Sequence, residues 1–113
     1  MDFEDLRLCD LLDKVRSRAL SIAETRNVSE FKNLGRDIQS VYDFFVTATK
    51  AYESEQNMLK NLFTSFNYAA VIINDGIKKK ALDKEAVTLL NECLEIIVAC
   101  CGNVKKSLTG QGE

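Results

Sequence analysis

Residues 31–73 read FKNLGRDIQSVYDFFVTATKAYESEQNMLKNLFTSFNYAAVII and carry the most regular pattern in the chain. Side chains that are apolar, with Glu55 as the single exception, recur at steps of three and four residues, at Phe31, Leu34, Ile38, Val41, Phe45, Ala48, Tyr52, Glu55, Leu59, Leu62, Phe66, Ala69 and Ile73. Steps of this kind place side chains on one face of an α-helix. The stretch is therefore predicted to be helical, as one helix of about 70 Å or as two shorter helices.

Two polar segments divide the first two-thirds of the chain into candidate helices. Residues 2–26 show the same three-and-four spacing, and Ser29 is a candidate N-cap for the helix that follows, because its hydroxyl can accept from an otherwise unpaired amide. The polar residues 53–57 are the one weak point in the long pattern, and Ser54 is a candidate N-cap there. A break at Ser54 would produce two helices of ordinary length.

The last third of the chain contains a clear stop and a clear start. Asp75-Gly76 predicts a helix end, because glycine tolerates the left-handed conformation that closes helices. Residues 77–82 then form a lysine-rich connection, and Asp83 is a candidate N-cap for the last helix. The main apolar line of that helix consists of Val87, Leu90, Leu94, Ile97, Cys101, Val104 and Leu108.

Four segments of similar length with short connections predict an all-α fold, an up-down-up-down four-helix bundle. The bundle is expected to form a single domain over residues 1–108, with a polar tail at residues 109–113. The alternative is a dimeric protein of three helices, in which residues 29–75 form one long central helix that a second chain covers.

Composition excludes most kinds of chemistry. The 113 residues are 46% apolar and 28% charged, and the net charge is −2, so nothing general favours binding to nucleic acid or to anionic lipid. There is no histidine, which excludes Ser-His-Asp and Cys-His catalytic units and sites with two histidine metal ligands. The sequence predicts a non-enzymatic protein with no cofactor, no bound metal and no small-molecule substrate.

The sequence also favours a cytoplasmic location. The first ten residues include four acidic side chains where a secretory signal would be basic and apolar, and the longest apolar run, from Ile96 to Cys101, is too short to span a bilayer. The four cysteines, at positions 9, 93, 100 and 101, are interpreted as reduced thiols that act as small buried hydrophobic residues. No membrane span is expected.

Excess apolar surface is the feature that points to function. The last helix carries a second stripe beside its main apolar line, formed by Leu89, Cys93, Ile96 and Cys100. Phe44 and Val46 also lie off the main apolar line of the long pattern, where they either widen the core or belong to a docking surface. Large apolar surfaces are seldom left in water, so these six residues are candidate partner-binding residues. The favoured hypothesis is a protein–protein interaction module, regulatory or adaptor-like, that binds a protein partner or forms a homodimer.

A basic cluster supports an alternative function. Lys78, Lys79, Lys80 and Lys84 surround the connection before the last helix and could bind nucleic acid or a phosphorylated or acidic partner. No aromatic side chains are interleaved with them for base stacking, and cations are favourable at a helix C-terminus in any case. Binding to nucleic acid is therefore disfavoured, and a solvated turn is the simpler interpretation.

Overall fold

The computed structural model describes residues 2–79 and 82–110 and contains four α-helices within them, with no β-strand. The predicted all-α four-helix fold is therefore confirmed, and residues 31–73 contain two helices rather than the long helix of the alternative. The helices and two short 3₁₀ turns are α1 (Phe3–Thr25), a turn at Val28–Glu30, α2 (Phe31–Thr47), a turn at Glu53–Glu55, α3 (Gln56–Lys79) and α4 (Lys84–Thr109).

The connection from α1 to α2 differs in detail from the prediction. Helix α1 ends at Thr25, and Arg26 closes it in the left-handed conformation with φ of 56°. The predicted N-cap at Ser29 is wrong. Asn27, two residues earlier, caps a 3₁₀ turn instead, because its side chain accepts the Ser29 backbone N–H at 3.2 Å. Ser29 therefore lies inside that turn, and α2 begins only at Phe31.

The break between α2 and α3 begins before the polar segment in which it was predicted. Helix α2 ends at Thr47, and Tyr52 takes the left-handed conformation with φ of 51°. Ser54 lies inside the following 3₁₀ turn, so its predicted role as an N-cap is wrong. The Tyr52 hydroxyl donates a hydrogen bond to the Asp5 carboxylate at 2.9 Å, which ties this connection to the start of α1.

The end of α3 lies beyond the predicted stop. The helix continues through Asp75 and Gly76 to Lys79, and Gly76 is buried within it rather than serving as a left-handed cap. The predicted N-cap at Asp83 is confirmed, because its carboxylate accepts the Ala86 backbone N–H at 2.8 Å. Helix α4 then runs to Thr109, and Gly110 closes it with φ of 73°.

Helix α4 is the central packing element of the bundle. It packs against α1 on one side and α3 on the other, while α2 packs against α1. Glu4 near the start of α1 bonds the Thr49 backbone N–H just after α2, and Arg18 further along α1 bonds Glu30 just before α2, so α1 and α2 run antiparallel. The up-down-up-down order of all four helices stays a prediction.

Helix α4 is also long and apolar enough to cross a membrane, by length and composition alone. In this fold seven of its residues are buried against the rest of the bundle. Core helices of soluble proteins pass the same test, so this property is weak evidence for a membrane span. The expectation that the chain has no membrane span stays a prediction.

Candidate interaction surface

The second stripe of α4 is mostly part of the core. Cys93 and Cys100 are buried, Leu89 is half-buried, and only Ile96 is substantially exposed, at 45%. Leu89 shares a groove with Gly76 and Ile72 of α3, so the second stripe lies on the side of α4 that packs against α3. The expectation that Cys93 and Cys100 face a partner is corrected, because α1 and α3 together cover both apolar lines of α4 within one chain.

Phe44 and Val46, the two candidate residues of α2, likewise differ in exposure. Phe44 is 7% exposed and its ring centroid lies 6.0 Å from that of Tyr52, so Phe44 belongs to the core and its predicted place on an outer surface is corrected. Val46 is 68% exposed. Of the six candidate partner-binding residues, Val46 and Ile96 are therefore the two whose side chains are well exposed.

Helices α2 and α3 meet along a seam with few close backbone approaches. Their backbones do not approach as closely as those of α3 and α4. Aromatic rings bridge the gap instead, since Phe31 stacks on Phe66 with centroids 4.9 Å apart and Tyr42 meets the edge of Phe63 at 5.9 Å. Helix separation follows the size of the side chains between the axes, and large rings hold α2 and α3 apart.

A groove of about 230 Å³ lies along this seam and is named the α2–α3 groove below. Its lining residues are Gly35, Ile38, Gln39, Tyr42, Phe63, Phe66 and Asn67. Gly35 lets the Phe66 ring lie close to the α2 backbone, because a Cβ atom there would come within 3.2 Å of that ring. The groove therefore combines an aromatic floor with amide side chains that can form hydrogen bonds.

Val46 extends the α2 wall of this groove. Gly35, Gln39, Tyr42 and Val46 follow one another at steps of four, three and four, which places them on one line of the helix. Tyr42 is 52% exposed and Val46 is more exposed still. Sequence reasoning found Val46 but missed Gly35, Tyr42 and Phe63. This second line on α2 was visible in the spacing, although its position beside α3 was not.

Positively charged residues lie close in sequence to residues that line the α2–α3 groove. Lys32, Arg36 and Lys60 are exposed, and none of them forms a salt bridge within the described ranges 2–79 and 82–110. Of the two acidic residues of α2, Asp37 pairs with Arg18 of α1, and Asp43 accepts the side-chain N–H of the lining residue Gln39 at 2.9 Å. An apolar groove with basic borders is thus available on this face.

The positive charge of the predicted basic cluster is partly offset by acidic neighbours. Lys79 pairs with Asp75 at 3.1 Å, and at the start of α4 Lys84 is flanked by Asp83 and Glu85. The bridge to Asp75 also raises the pKa of Lys79. Lys78 is exposed at the end of α3, while Lys80 lies outside the described residues. No observation here favours a phosphate site.

The buried thiols have the properties of core residues. Burial raises the pKa of Cys93 and Cys100, and raises that of Cys101 to about 12. Cys9 is also buried, and its pKa is raised chiefly by burial. Nucleophilic and metal-binding cysteines are thiolates, which these environments disfavour. The described part of the chain contains no group of three or more His, Cys, Asp or Glu residues that could hold a metal ion.

A polar cluster around Asp5 has a structural explanation. Asp5 is 8% exposed, and its carboxylate accepts hydrogen bonds from Lys50 at 3.1 and 3.2 Å and from the Tyr52 hydroxyl. Asp2 also pairs with Lys50. Burial, followed by the bond to Asp5, raises the pKa of Tyr52. The cluster joins the α2–α3 connection to α1 and neutralises the buried carboxylate.

Comparison of the chain with protein-family models, curated proteins and solved structures finds no match. Function is therefore inferred from the surface of the molecule itself. Among the features described above, the α2–α3 groove is the one that joins exposed apolar side chains, a recess and unpaired charges.

Proposed function

We propose that this protein is a non-enzymatic protein–protein interaction module that binds a helical segment of a partner protein in the α2–α3 groove. The observation that carries the proposal is the exposure of Tyr42 and Val46 beside the aromatic floor formed by Phe63 and Phe66. Exposed aromatic and aliphatic side chains around a recess are typical of protein-binding sites. An intracellular adaptor or regulatory role would follow from such binding.

The shape of the groove favours a helix as its occupant. The α2 wall from Gly35 to Val46 is about 16 Å long at 1.5 Å per residue, which matches three turns of helix. A helix laid between two others completes the ridge-and-groove packing that α2 and α3 do not complete with each other. Anchors three and four residues apart on the incoming helix would enter the recess, as in other helix-in-groove complexes.

A homodimer is the competing arrangement. The second stripe of α4, which was the main reason to expect one, is largely covered by α3, and Ile96 alone is a small contact. Light scattering over a range of concentrations separates the two arrangements. We expect a monomer that persists as concentration rises, because the exposed apolar residues are spread over all four helices.

The proposal is tested by selecting binders from a phage-displayed library of helical peptides of about 16 residues. The folded chain is the target, and selected peptides are measured again against Val46→Glu. A charge at this position would oppose burial of an apolar anchor, so we expect affinity to fall at least tenfold. Leu6→Glu is the matched control, because Leu6 is 49% exposed on α1 and takes no part in the groove.

Three outcomes are distinguishable. Loss of binding with Val46→Glu and retention with Leu6→Glu support the proposed function. Equal affinity for both variants, with unchanged helical circular dichroism, would place the binding site elsewhere and overturn it. Selection that produces no binder to the folded chain also counts against the proposal.

A further inference from the structure

We infer that the segment bound in the α2–α3 groove is an acidic amphipathic helix, with Asp or Glu residues flanking its apolar stripe at both ends. This inference rests on the proposed function and adds the chemistry of the partner. Lys32 and Lys60 carry it, because each lies three residues before a residue that lines the recess and neither forms a salt bridge within the described residues.

The two lysines lie toward opposite ends of the α2–α3 groove. Lys32 follows Phe31, whose ring stacks on Phe66, whereas Lys60 precedes Phe63, whose ring meets Tyr42. Phe31 is early in α2 and pairs with the later α3 residue, so the two helices run in opposite senses along the seam. Lys32 therefore lies near the Phe66 end and Lys60 beyond the Phe63 end.

The lysines also share the lines of side chains that form the two walls. Lys32 is three residues before Gly35 on α2, and Lys60 is three residues before Phe63 on α3. Side chains three residues apart are neighbours on a helix surface. A helix seated on Tyr42 and Phe63 would thus place its terminal turns within reach of a lysine at each end.

The local charge differs from that of the molecule as a whole. The chain carries a net charge of −2, yet none of the described residues that line the α2–α3 groove is acidic, and the carboxylate of neighbouring Asp43 is engaged by Gln39 at 2.9 Å. The groove between α3 and α4, in contrast, is lined by Asp75, Asp83 and Glu85. A basic helix would find complementary charges there and not between α2 and α3. Charge complementarity of this kind selects partners and accelerates their encounter.

Two synthetic helical peptides of about 16 residues test the inference. They share one apolar stripe of Leu and Phe and differ in their terminal turns, which carry Glu in one peptide and Lys in the other. Fluorescence anisotropy with the intact chain measures both affinities. We expect the Glu peptide to bind at least about tenfold more tightly, and to weaken about three- to tenfold as NaCl rises from roughly 0.05 to 0.5 M.

Charge reversal on the protein provides the second arm of the test. The double variant Lys32→Glu, Lys60→Glu should reverse the preference, so that the Lys peptide binds more tightly than the Glu peptide. Lys14→Glu, an exposed lysine of α1 outside the groove, is the matched control and should leave both affinities unchanged. Circular dichroism spectra establish that each variant retains its helices.

Failure of this inference can be told apart from failure of the proposed function. Equal binding of both peptides, abolished by Val46→Glu, would overturn the acidic partner and leave the groove as a docking site. Absence of binding by either peptide would overturn the inference, while the library selection decides the proposed function separately. Binding to phosphatidylserine vesicles through Lys32 and Lys60, without discrimination between the peptides, would replace the acidic helix with a lipid surface.

Discussion

Replacement of Tyr52 by phenylalanine removes one hydroxyl group at the point where the long apolar pattern breaks. In the native chain this hydroxyl donates a hydrogen bond to Asp5 at 2.9 Å in a buried setting. The ring itself contacts Phe44 and Phe45, with centroid distances of 6.0 and 5.6 Å, and those contacts survive the substitution. The left-handed backbone at position 52 is unaffected, because phenylalanine and tyrosine have the same backbone preferences.

The expected loss in free energy of unfolding depends on the hydrogen bonds that Asp5 keeps after the substitution. A hydrogen bond to a charged group contributes about 1.5–3 kcal/mol. Lys50 still bonds the carboxylate at 3.1 and 3.2 Å, so the charge does not lose all of its partners. We therefore expect the lower part of that range, about 1.5–2 kcal/mol less free energy of unfolding. At about 4 °C per kcal/mol, Tm would fall by about 6–8 °C.

Urea denaturation followed by far-UV circular dichroism measures this difference, and the denaturant slope should remain unchanged. Tyr42→Phe is the matched control, because it removes the same hydroxyl from a side chain that is 52% exposed, and it should cost less than about 0.5 kcal/mol. Equal effects of the two substitutions would refute the reasoning, since they would mean that the bond to Asp5 adds no stability.

The pH dependence of the free energy of unfolding provides an independent check of the same hydrogen bond. The pKa of Tyr52 is raised chiefly by burial and further by Asp5, so the folded state holds the phenolic proton more firmly than the unfolded state. This contribution to stability is complete below the pKa of an unfolded tyrosine, about 10, and is lost as pH rises above it. Tyr52→Phe should therefore show a smaller loss of stability between about pH 10 and pH 12 than the native chain.

Three further predictions concern the core and its charges. Ile97→Ala should lower the free energy of unfolding, measured by urea denaturation, by about 2–5 kcal/mol, and Ile96→Ala by less than about 1 kcal/mol. The reason is that Ile97 is fully buried whereas Ile96 is 45% exposed. Equal losses would contradict the orientation of α4. Iodoacetamide should alkylate Cys101 at pH 8 much more slowly in the folded chain than in urea, because burial raises its thiol pKa to about 12, and mass spectrometry after digestion would show the difference. Stability should fall as pH drops from about 5 to 2, in part because the Arg18 guanidinium lowers the pKa of Glu30 in the folded state, and thermal melts of Arg18→Gln should show a shallower dependence over that range.

Much of the fold could be predicted from spacing, and much less of the candidate interaction surface. The second stripe of α4 was identified correctly as apolar, but its assignment to a partner failed for Cys93 and Cys100 because α3 covers that side of the helix. Val46 was identified for the same reason as Phe44, yet the two diverge in the folded chain. Phe44 points toward Tyr52 in the core, and Val46 continues the wall of the α2–α3 groove.

Spacing and capping residues predicted the apolar faces of the helices and several of their ends, because both are local properties of a few adjacent residues. They left the choice between three and four helices open. Asp83 bonds an amide three residues away, and such a partner can be read from the sequence. The end of α2 and the open seam beside α3 became visible only in the folded chain. Tyr52, at the break, bonds Asp5, which lies 47 residues earlier in the chain. The groove depends on rings that meet from separate helices, and no local pattern specifies how large side chains from distant segments will hold two backbones apart.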